Sequence, residues 1–333
     1  MNYKRKALVL GLIISICLSL SLFGQLGCKP AVPPIANIQV HSDFSVNFLD
    51  VGQGDCIFIR LTDGKNVLID CGVNDSAKEN SKYIINYLNK YSVNKIDYFI
   101  LTHPDVDHIG NAIDLINNFS IGKMFIPKIH QTLIQNFSEF NKILIQIEQK
   151  QIQFEYSIFP TQITGDNYYF AFLSPQSDSR SSYDKILQNQ IPTDKDINNL
   201  SPIIYFSCFD KRFVFTGDAE AQEEKYVVEN FNSNVYDEYY QNIKIDLESV
   251  DYLKLSHHGS KDASCEEFLS LLKPKNVIIS VGNDNYFGHP SSETLLRIEN
   301  ICSNYNIYRT DQHGTICVYK DSQTFKTQTS KNN

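Results

Sequence analysis

The stretch that decides the fold runs from Lys95 to Asn111 and reads KIDYFILTHPDVDHIGN. Its first half, Ile96 to Leu101, is apolar and predicts a buried strand, and a helix is predicted from Ile109 to Asn118. The turn between them carries four possible metal ligands, His103, Asp105, Asp107 and His108. Groups packed this densely repel or compete with one another unless cations compensate them. The stretch therefore predicts a strand, a metal-binding turn and a helix.

The spacing within the turn separates the four side chains into two pairs. His103 and Asp105 stand two residues apart, so in extended backbone their side chains point the same way. Asp107 and His108 follow in the turn and can face a second metal ion.

Further donors stand downstream, each after an apolar strand-like run. Asp218 ends FTGD, and His257 and His258 lie in LSHHGS. Ligands gather at the carboxyl ends of strands in α/β folds. Each motif alone is ordinary, but together they supply the remaining ligands of a dinuclear site.

The rest of the chain alternates short strands with helices. Strands are predicted at Ser45–Leu49, Cys56–Leu61 and Val277–Val281, and helices at Ser81–Lys90 and Ala219–Asn230. This order indicates a mixed α/β sandwich with sheets inside and helices outside. Two long polar segments, 174–200 and 232–249, are predicted as functional lids or disordered loops.

Four more motifs make the resemblance to a known family specific. They are FLDVGQGD at Phe48–Asp55, LID at Leu68–Asp70, SHHGS at Ser256–Ser260 and GHP at Gly288–Pro290. With HPDVDH and Gly-Asp in this order, the chain resembles the metallo-β-lactamase superfamily, and more narrowly the hydrolase domain of ComEC-type competence proteins. The resemblance covers roughly Ser45 to Lys320. It implies a metallo-β-lactamase-type αββα sandwich.

The resemblance also implies a role for each site residue. His103 and Asp105 would bind one divalent metal, Asp107 and His108 the other, with Asp218 bridging and His257 completing the second site. The catalytic candidates are Asp107, His258 and His289; the two histidines would protonate a leaving group or hold an anion. Asp70 would hold the HPDVDH loop by hydrogen bonds. Gly52 and Gly54 would let the backbone approach the site closely.

The ligand set departs from the wider superfamily, which has histidine where Asp105 stands and usually another histidine further on. Between His108 and Asp218 the only histidine is His130. The first site is therefore predicted to be rich in oxygen, which leaves both zinc and manganese open.

The N-terminus predicts export from the cytoplasm. Lys4-Arg5-Lys6 precedes an uncharged stretch, Ala7–Phe23, and then Cys28. The layout is that of a secretory signal and resembles a bacterial lipoprotein signal. A lipid anchor, an uncleaved anchor and plain secretion stay open. The predicted organisation is a signal (1–28), a tether (29–43), a hydrolase domain (44–320) and a polar tail (321–333).

The predicted function is hydrolysis of a phosphodiester through a hydroxide bridging two metal ions. With 30 Lys and Arg against 38 Asp and Glu, and no basic stripe, tight duplex binding is disfavoured. Single-stranded DNA or a small phosphodiester fits better. Ester or lactone hydrolysis is the alternative enzyme, and a surface binding lipoprotein with a vestigial metal site is the alternative outside enzymes.

Overall fold

The computed structural model describes residues 39–40, 43–75, 77–176, 192–283, 285–322 and 324–331. The predicted signal, 1–28, and most of the predicted tether lie outside the described residues, as does the middle of the 174–200 segment. Among the described residues, no helix combines the length and the apolar character needed to cross a bilayer.

The described strands are numbered in chain order. They are β1 (Ser45–Phe48), β2 (Ile57–Arg60), β3 (Asn66–Ile69), β4 (Lys95–Ile100), β5 (Ser120–Ile126), β6 (Gln153–Tyr156), β7 (Gln162–Gly165), β8 (Tyr168–Phe172), β9 (Ile204–Cys208), β10 (Lys211–Phe215), β11 (Tyr252–Lys254), β12 (Asn276–Ile279), β13 (Asn306–Arg309), β14 (Ile316–Lys320) and β15 (Phe325–Thr329).

The strands form two mixed sheets. One has eight strands in the order β15-β14-β1-β2-β3-β4-β5-β6, and the other has seven in the order β13-β12-β11-β10-β9-β8-β7. In the first sheet β3 to β6 run parallel, and in the second β10 to β13 do so. The carboxyl ends of β4, β10 and β11 lead directly to the predicted ligands, as expected for parallel strands.

The described helices are likewise numbered in chain order. They are α1 (Glu79–Lys90), α2 (Val106–Ile109), α3 (Ala112–Asn118), α4 (Gln131–Ile134), α5 (Ser138–Gln149), α6 (Asp194–Asn198), α7 (Ala221–Asn232), α8 (Val235–Tyr239), α9 (Glu266–Leu272), α10 (Ser292–Ile301) and α11 (Thr310–His313).

Three apolar clusters hold four layers together. One joins α1, α3 and α5 to the outer face of the first sheet, with Phe99 and Met124 at its centre. A second joins α7 to α10 to the outer face of the second sheet, around Leu253 and Val277. The third lies between the sheets and is rich in phenylalanine, including Phe206. This confirms the predicted αββα sandwich, because each sheet buries one face on the other and one on helices.

The predicted helices Ser81–Lys90 and Ala219–Asn230 correspond to α1 and α7, of which α7 begins two residues later than predicted, at Ala221. The six cysteines of the described residues are all free and buried, and two of them, Cys208 and Cys317, lie in strands. The predicted helix 109–118 is instead two helices, α2 and α3, divided near Gly110 and Asn111.

Two sequence predictions need correction. The predicted polar tail, 321–333, includes β15, which pairs antiparallel with β14. Successive side chains of Phe325–Thr329 point to opposite faces of the sheet, and Phe325 lies on the face of Phe44. The centroids of these two rings are 5.7 Å apart. The segment 232–249 is neither lid nor disorder, because α8 and the following turn bury Tyr236 and Tyr240 in the second cluster.

Candidate metal centre

The HPDVDH turn presents its ligands by leaving β4 and starting α2 within a few residues. His103 and His108 are fully buried, whereas the Asp105 and Asp107 side chains are 45% and 27% exposed. Asp105 is extended (φ −71°, ψ 143°) at the start of α2 and accepts backbone hydrogen bonds from His108 and Ile109. The histidines therefore reach inward while the two carboxylates stay open toward solvent.

Asp70 holds this turn from behind. Its Oδ1 accepts a hydrogen bond from the Thr102 backbone N–H at 2.9 Å. Its Oδ2 lies 2.7 Å from both the Thr102 Oγ1 and the His108 Nδ1. The predicted supporting role of Asp70 is confirmed, and this partner leaves Nε2 of His108 as the nitrogen that faces the site.

Asp218 follows β10 and occupies the middle of the cluster. Its Oδ1 lies 3.2 Å from His108 Nε2. Its Oδ2 lies 3.9 Å from His103 Nε2, 3.7 Å from His257 Nε2 and 3.5 Å from His258 Nε2. One buried carboxylate thus faces four imidazoles, with its two oxygens turned to different groups.

The His257-His258 turn is held in an uncommon backbone conformation. Both residues are left-handed, with φ of 46° and 53°. Glu224 fixes the turn by accepting hydrogen bonds from Ser256 Oγ at 2.6 Å and from the backbone N–H groups of Ser264 and Cys265. Two consecutive left-handed residues without glycine are strained, and such strain is concentrated at functional sites.

The His258 ring is aimed at the second pair of predicted ligands. Its Nδ1 lies 2.8 Å from the Ser280 carbonyl oxygen, to which it donates. Its Nε2 lies 3.5 Å from Asp107 Oδ2. Asp107, His108 and His258 offer ligand atoms within 4.8 Å of one another, and so do His103, His108 and Asp218.

Several buried atoms at this point have no hydrogen-bond partner among the described residues. They are His103 Nε2, His108 Nε2, His258 Nε2 and Asp218 Oδ1. Buried polar atoms are nearly always paired, so a converging set of unpaired ones indicates a missing partner. Imidazole nitrogens and carboxylate oxygens at this spacing fit divalent metal ions.

The electrostatics of the cluster also favour a cation. Burial alone would lower the pKa of His108, but the charges of Asp218, Asp70 and Asp107 raise it well above its usual value. Burial alone would raise the pKa of Asp218, but the charges of His108 and His258 hold it well below its usual value. Divalent ions can meet the same demand for positive charge and release the histidine protons.

The FLDVGQGD loop packs directly against the turn. A Cβ at Gly54, where φ is +127°, would lie 2.1 Å from the Asp107 carbonyl oxygen, which confirms the predicted close approach. The same prediction is wrong for Gly52: nothing lies within 4 Å of a Cβ there, and only its φ of +75° favours glycine.

His289 lies beside the cluster, and His130 does not take part in it. The His289 ring centroid is 5.5 Å from that of His257. Burial, with the nearby His257 and His258, lowers the pKa of His289 to about 4. His130 instead begins α4 and accepts a hydrogen bond from the Thr132 N–H.

Comparison with known proteins identifies the fold family. Residues 49–186, which contain the HPDVDH turn, match the model of the metallo-beta-lactamase superfamily. Over these residues the chain is similar to the metallo-β-lactamase superfamily.

Three bacterial proteins are similar to this chain over most of its length. ComE operon protein 3 of Bacillus subtilis is 29% identical over 83% of the chain and 33% of the relative. Recombination protein 2 of Haemophilus influenzae is 26% identical over 86% and 29%. Competence protein ComA of Neisseria gonorrhoeae is 23% identical over 92% and 38%. The chain spans about a third of the length of these relatives, and the resemblance to ComEC-type proteins is confirmed.

Sequence reasoning missed several residues of this site. Ser201 Oγ lies 3.1 Å from His103 Nδ1 and accepts a hydrogen bond from the Asp218 backbone N–H at 3.1 Å. Asp55 and Lys254 form a buried ion pair of 2.7 Å beneath His258. Asp55 ends the quoted FLDVGQGD motif, which signalled its importance, but Lys254 looks like any strand residue.

Proposed function

We propose that this chain is a metal-dependent hydrolase of phosphodiesters, acting on a nucleic acid strand or a small diester. The observation that carries the proposal is Asp218, a buried carboxylate at the middle of the His/Asp cluster, with Oδ1 toward His108 and Oδ2 toward His103, His257 and His258. A central carboxylate among four imidazoles would suit a pair of cations. When bound, two cations would supply a hydroxide nucleophile at neutral pH and would neutralise the charge that develops on phosphorus.

Within this proposal, His258 and not His257 completes the second metal site. Asp107 and His108 form that site, and His258 Nε2 approaches Asp107 Oδ2 at 3.5 Å. The hydrogen bond from His258 Nδ1 to Ser280 O fixes the ring so that Nε2 points inward. This gives His258 the ligand role that the family resemblance implies for His257.

His257 is then free to serve the first site, which otherwise has His103 as its one imidazole. His257 and His103 approach the same Asp218 oxygen, at 3.7 and 3.9 Å. Each metal would have two histidines, one carboxylate of its own and the shared Asp218. A balanced nitrogen and oxygen set is compatible with zinc, and manganese stays open.

His289 would hold the substrate rather than donate a proton from a charged ring. Because its pKa is lowered to about 4, the ring is neutral at pH 7. A neutral imidazole can still donate one N–H hydrogen bond to a phosphoryl oxygen. The exposed edge of the site, formed by Asp105 and Asp107, leaves an open approach for a substrate.

The relatives support a phosphodiester over an ester. Two of their names refer to recombination and to competence, and recombination of nucleic acid involves cleavage of phosphodiesters.

The export predicted from residues 1–28 is likewise proposed, with a lipid on Cys28 as the anchor. Metabolic labelling with a radioactive fatty acid, compared between wild type and Cys28→Ser, tests it: equal labelling would exclude the anchor.

The decisive experiment measures hydrolysis of bis-p-nitrophenyl phosphate and of p-nitrophenyl acetate by the full chain in mild detergent. The protein is stripped with a chelator and reloaded with Zn or Mn. Diester turnover should need the metal and disappear in Asp218→Asn. Asp251→Asn is the matched control. Asp251 is also a buried carboxylate, but it accepts a hydrogen bond from the backbone N–H of Arg212, at the end of β10 that lies away from Asp218. Metal binding with ester but no diester turnover would refute the proposal.

A further inference from the structure

A row of aromatic rings leads from the metal centre to solvent. The His257 and His289 centroids are 5.5 Å apart, edge to face. Phe287 stacks on His289 with centroids 5.9 Å apart and planes 16° from parallel. Tyr286 stands next to Phe287, and the two side chains are 103% and 70% exposed. The row therefore begins at a candidate ligand and ends in two exposed rings.

The backbone that carries these rings is pinned at both ends. Asn285 Nδ2 donates to the Gly282 carbonyl at 3.1 Å and to the His289 carbonyl at 2.7 Å. The His289 N–H donates back to Asn285 Oδ1 at 2.9 Å. Tyr286 and Phe287 thus lie at the tip of a closed turn, which presents their rings at a defined distance from His289.

Tyr286 and Phe287 are the two most exposed large apolar side chains of the described residues. Large aromatic side chains gain most by burial, yet Tyr286 is as accessible as in an extended chain. A planar ligand that stacks on these rings would bury them and so gain this free energy of burial. A nucleobase is such a ligand, and every base has a face that can stack.

The charge of the protein makes stacking more necessary. The net charge is −8, and the centre itself contains Asp105, Asp107 and Asp218. The protein therefore attracts a phosphate backbone only weakly at long range, except through metal ions bound at the centre. Affinity for a strand must come from groups that do not depend on ionic contacts.

We propose that Tyr286 and Phe287 form a base-stacking subsite, which holds the base of a nucleotide next to the phosphodiester in the metal centre. The inference rests on the proposed phosphodiesterase function. A base on Phe287 cannot remain stacked within a duplex, so the subsite selects single strands or unpaired ends. It also gives the protein a preference for a nucleic acid strand over a small diester that has no base.

Equilibrium binding tests the subsite without catalysis. The full chain, in the same detergent and without added metal, is titrated into two fluorescently labelled oligomers of equal length and charge, oligo-dT and an abasic deoxyribose phosphate. Fluorescence anisotropy gives both dissociation constants. Wild type should bind oligo-dT about fivefold or more tightly than the abasic strand, the effect of stacking one base or more. The variant Tyr286→Ala/Phe287→Ala should lose that preference and keep its affinity for the abasic strand.

Phe209→Ala is the matched control, because Phe209 is an exposed ring just before β10, at the end of that strand opposite Asp218. It should bind both oligomers like wild type. Equal wild-type affinity for the two oligomers, or an unchanged preference in the double variant, would overturn the subsite. Turnover of bis-p-nitrophenyl phosphate by the same preparations separates the two proposals. If wild type shows metal-dependent turnover but no base preference, only the subsite is refuted. If wild type shows no turnover, the phosphodiesterase function is refuted.

Discussion

The change of Asp70 to Asn tests whether the carboxylate behind the turn prepares His108 for metal binding. Asp70 is fully buried and has φ of +55°, a conformation that Asn tolerates well. The substitution therefore removes charge without altering size or straining the backbone. Asn has a single acceptor oxygen, whereas Asp70 accepts from Thr102 N, Thr102 Oγ1 and His108 Nδ1.

The new amide group cannot satisfy all of these donors. If its oxygen keeps the bond with the Thr102 backbone, its NH₂ faces the Nδ1 of His108. The imidazole then prefers the tautomer with the proton on Nε2, which is the nitrogen required as a metal ligand. Loss of such a supporting partner lowers metal affinity about 10- to 100-fold, or about 1.4–2.7 kcal/mol. Loss of a hydrogen bond to a charged group also lowers the free energy of unfolding by about 1.5–3 kcal/mol.

Both quantities can be measured on the purified protein. Competition against a chromophoric chelator gives the zinc and manganese affinities, and urea denaturation without metal gives the free energy of unfolding. Asp251→Asn is the control: it removes a buried carboxylate held by Lys211 and Lys275, so it should lower stability and leave metal affinity unchanged. Wild-type metal affinity in Asp70→Asn would refute the reasoning.

Two further substitutions test the packing around the centre. Gly54→Ala places a methyl group 2.1 Å from the Asp107 carbonyl oxygen. The loop must move, and this displacement should lower diester turnover about 100-fold. Gly52→Ala has open space for its methyl group, so it should cost only about 1–2 kcal/mol of stability for the positive φ. Equal turnover in the two variants would contradict the contact. Lys254→Met leaves the buried Asp55 carboxylate without its 2.7 Å partner, and urea denaturation should show a loss of about 3–5 kcal/mol. The double variant with Asp55→Asn should recover much of it; no recovery would mean that Lys254 acts through something other than this pair.

The sequence was informative wherever chemistry is concentrated in short motifs. HPDVDH lies within one turn, so its ligands could be read from spacing and from the apolar strand that precedes them. Asp70 could be placed behind the turn by resemblance, and its hydrogen bonds bear this out. Gly54 was also recognisable, because glycine in a motif beside a site indicates a close backbone approach.

Prediction from the sequence failed where the hydrophobic pattern is weak, or where one element is buried only because another element packs against it. The segment 232–249 is rich in polar residues and tyrosine, and only the packing of Tyr236 and Tyr240 under β8 reveals it as part of the core. β15 is polar in sequence because an edge strand with one solvated face needs few apolar residues. Neither property has a local signal.

The order of the two histidines shows the limit most clearly. Sequence alone determined that His257 and His258 stand after a strand and belong with HPDVDH and Asp218, since ligands collect where parallel strands end. It could not determine which of the two rings turns toward Asp107. That depends on two left-handed residues, on Glu224 beneath the turn and on the Ser280 carbonyl that orients His258. Side-chain direction at a strained turn is decided by contacts with residues distant in sequence, and only the tertiary structure supplies those contacts.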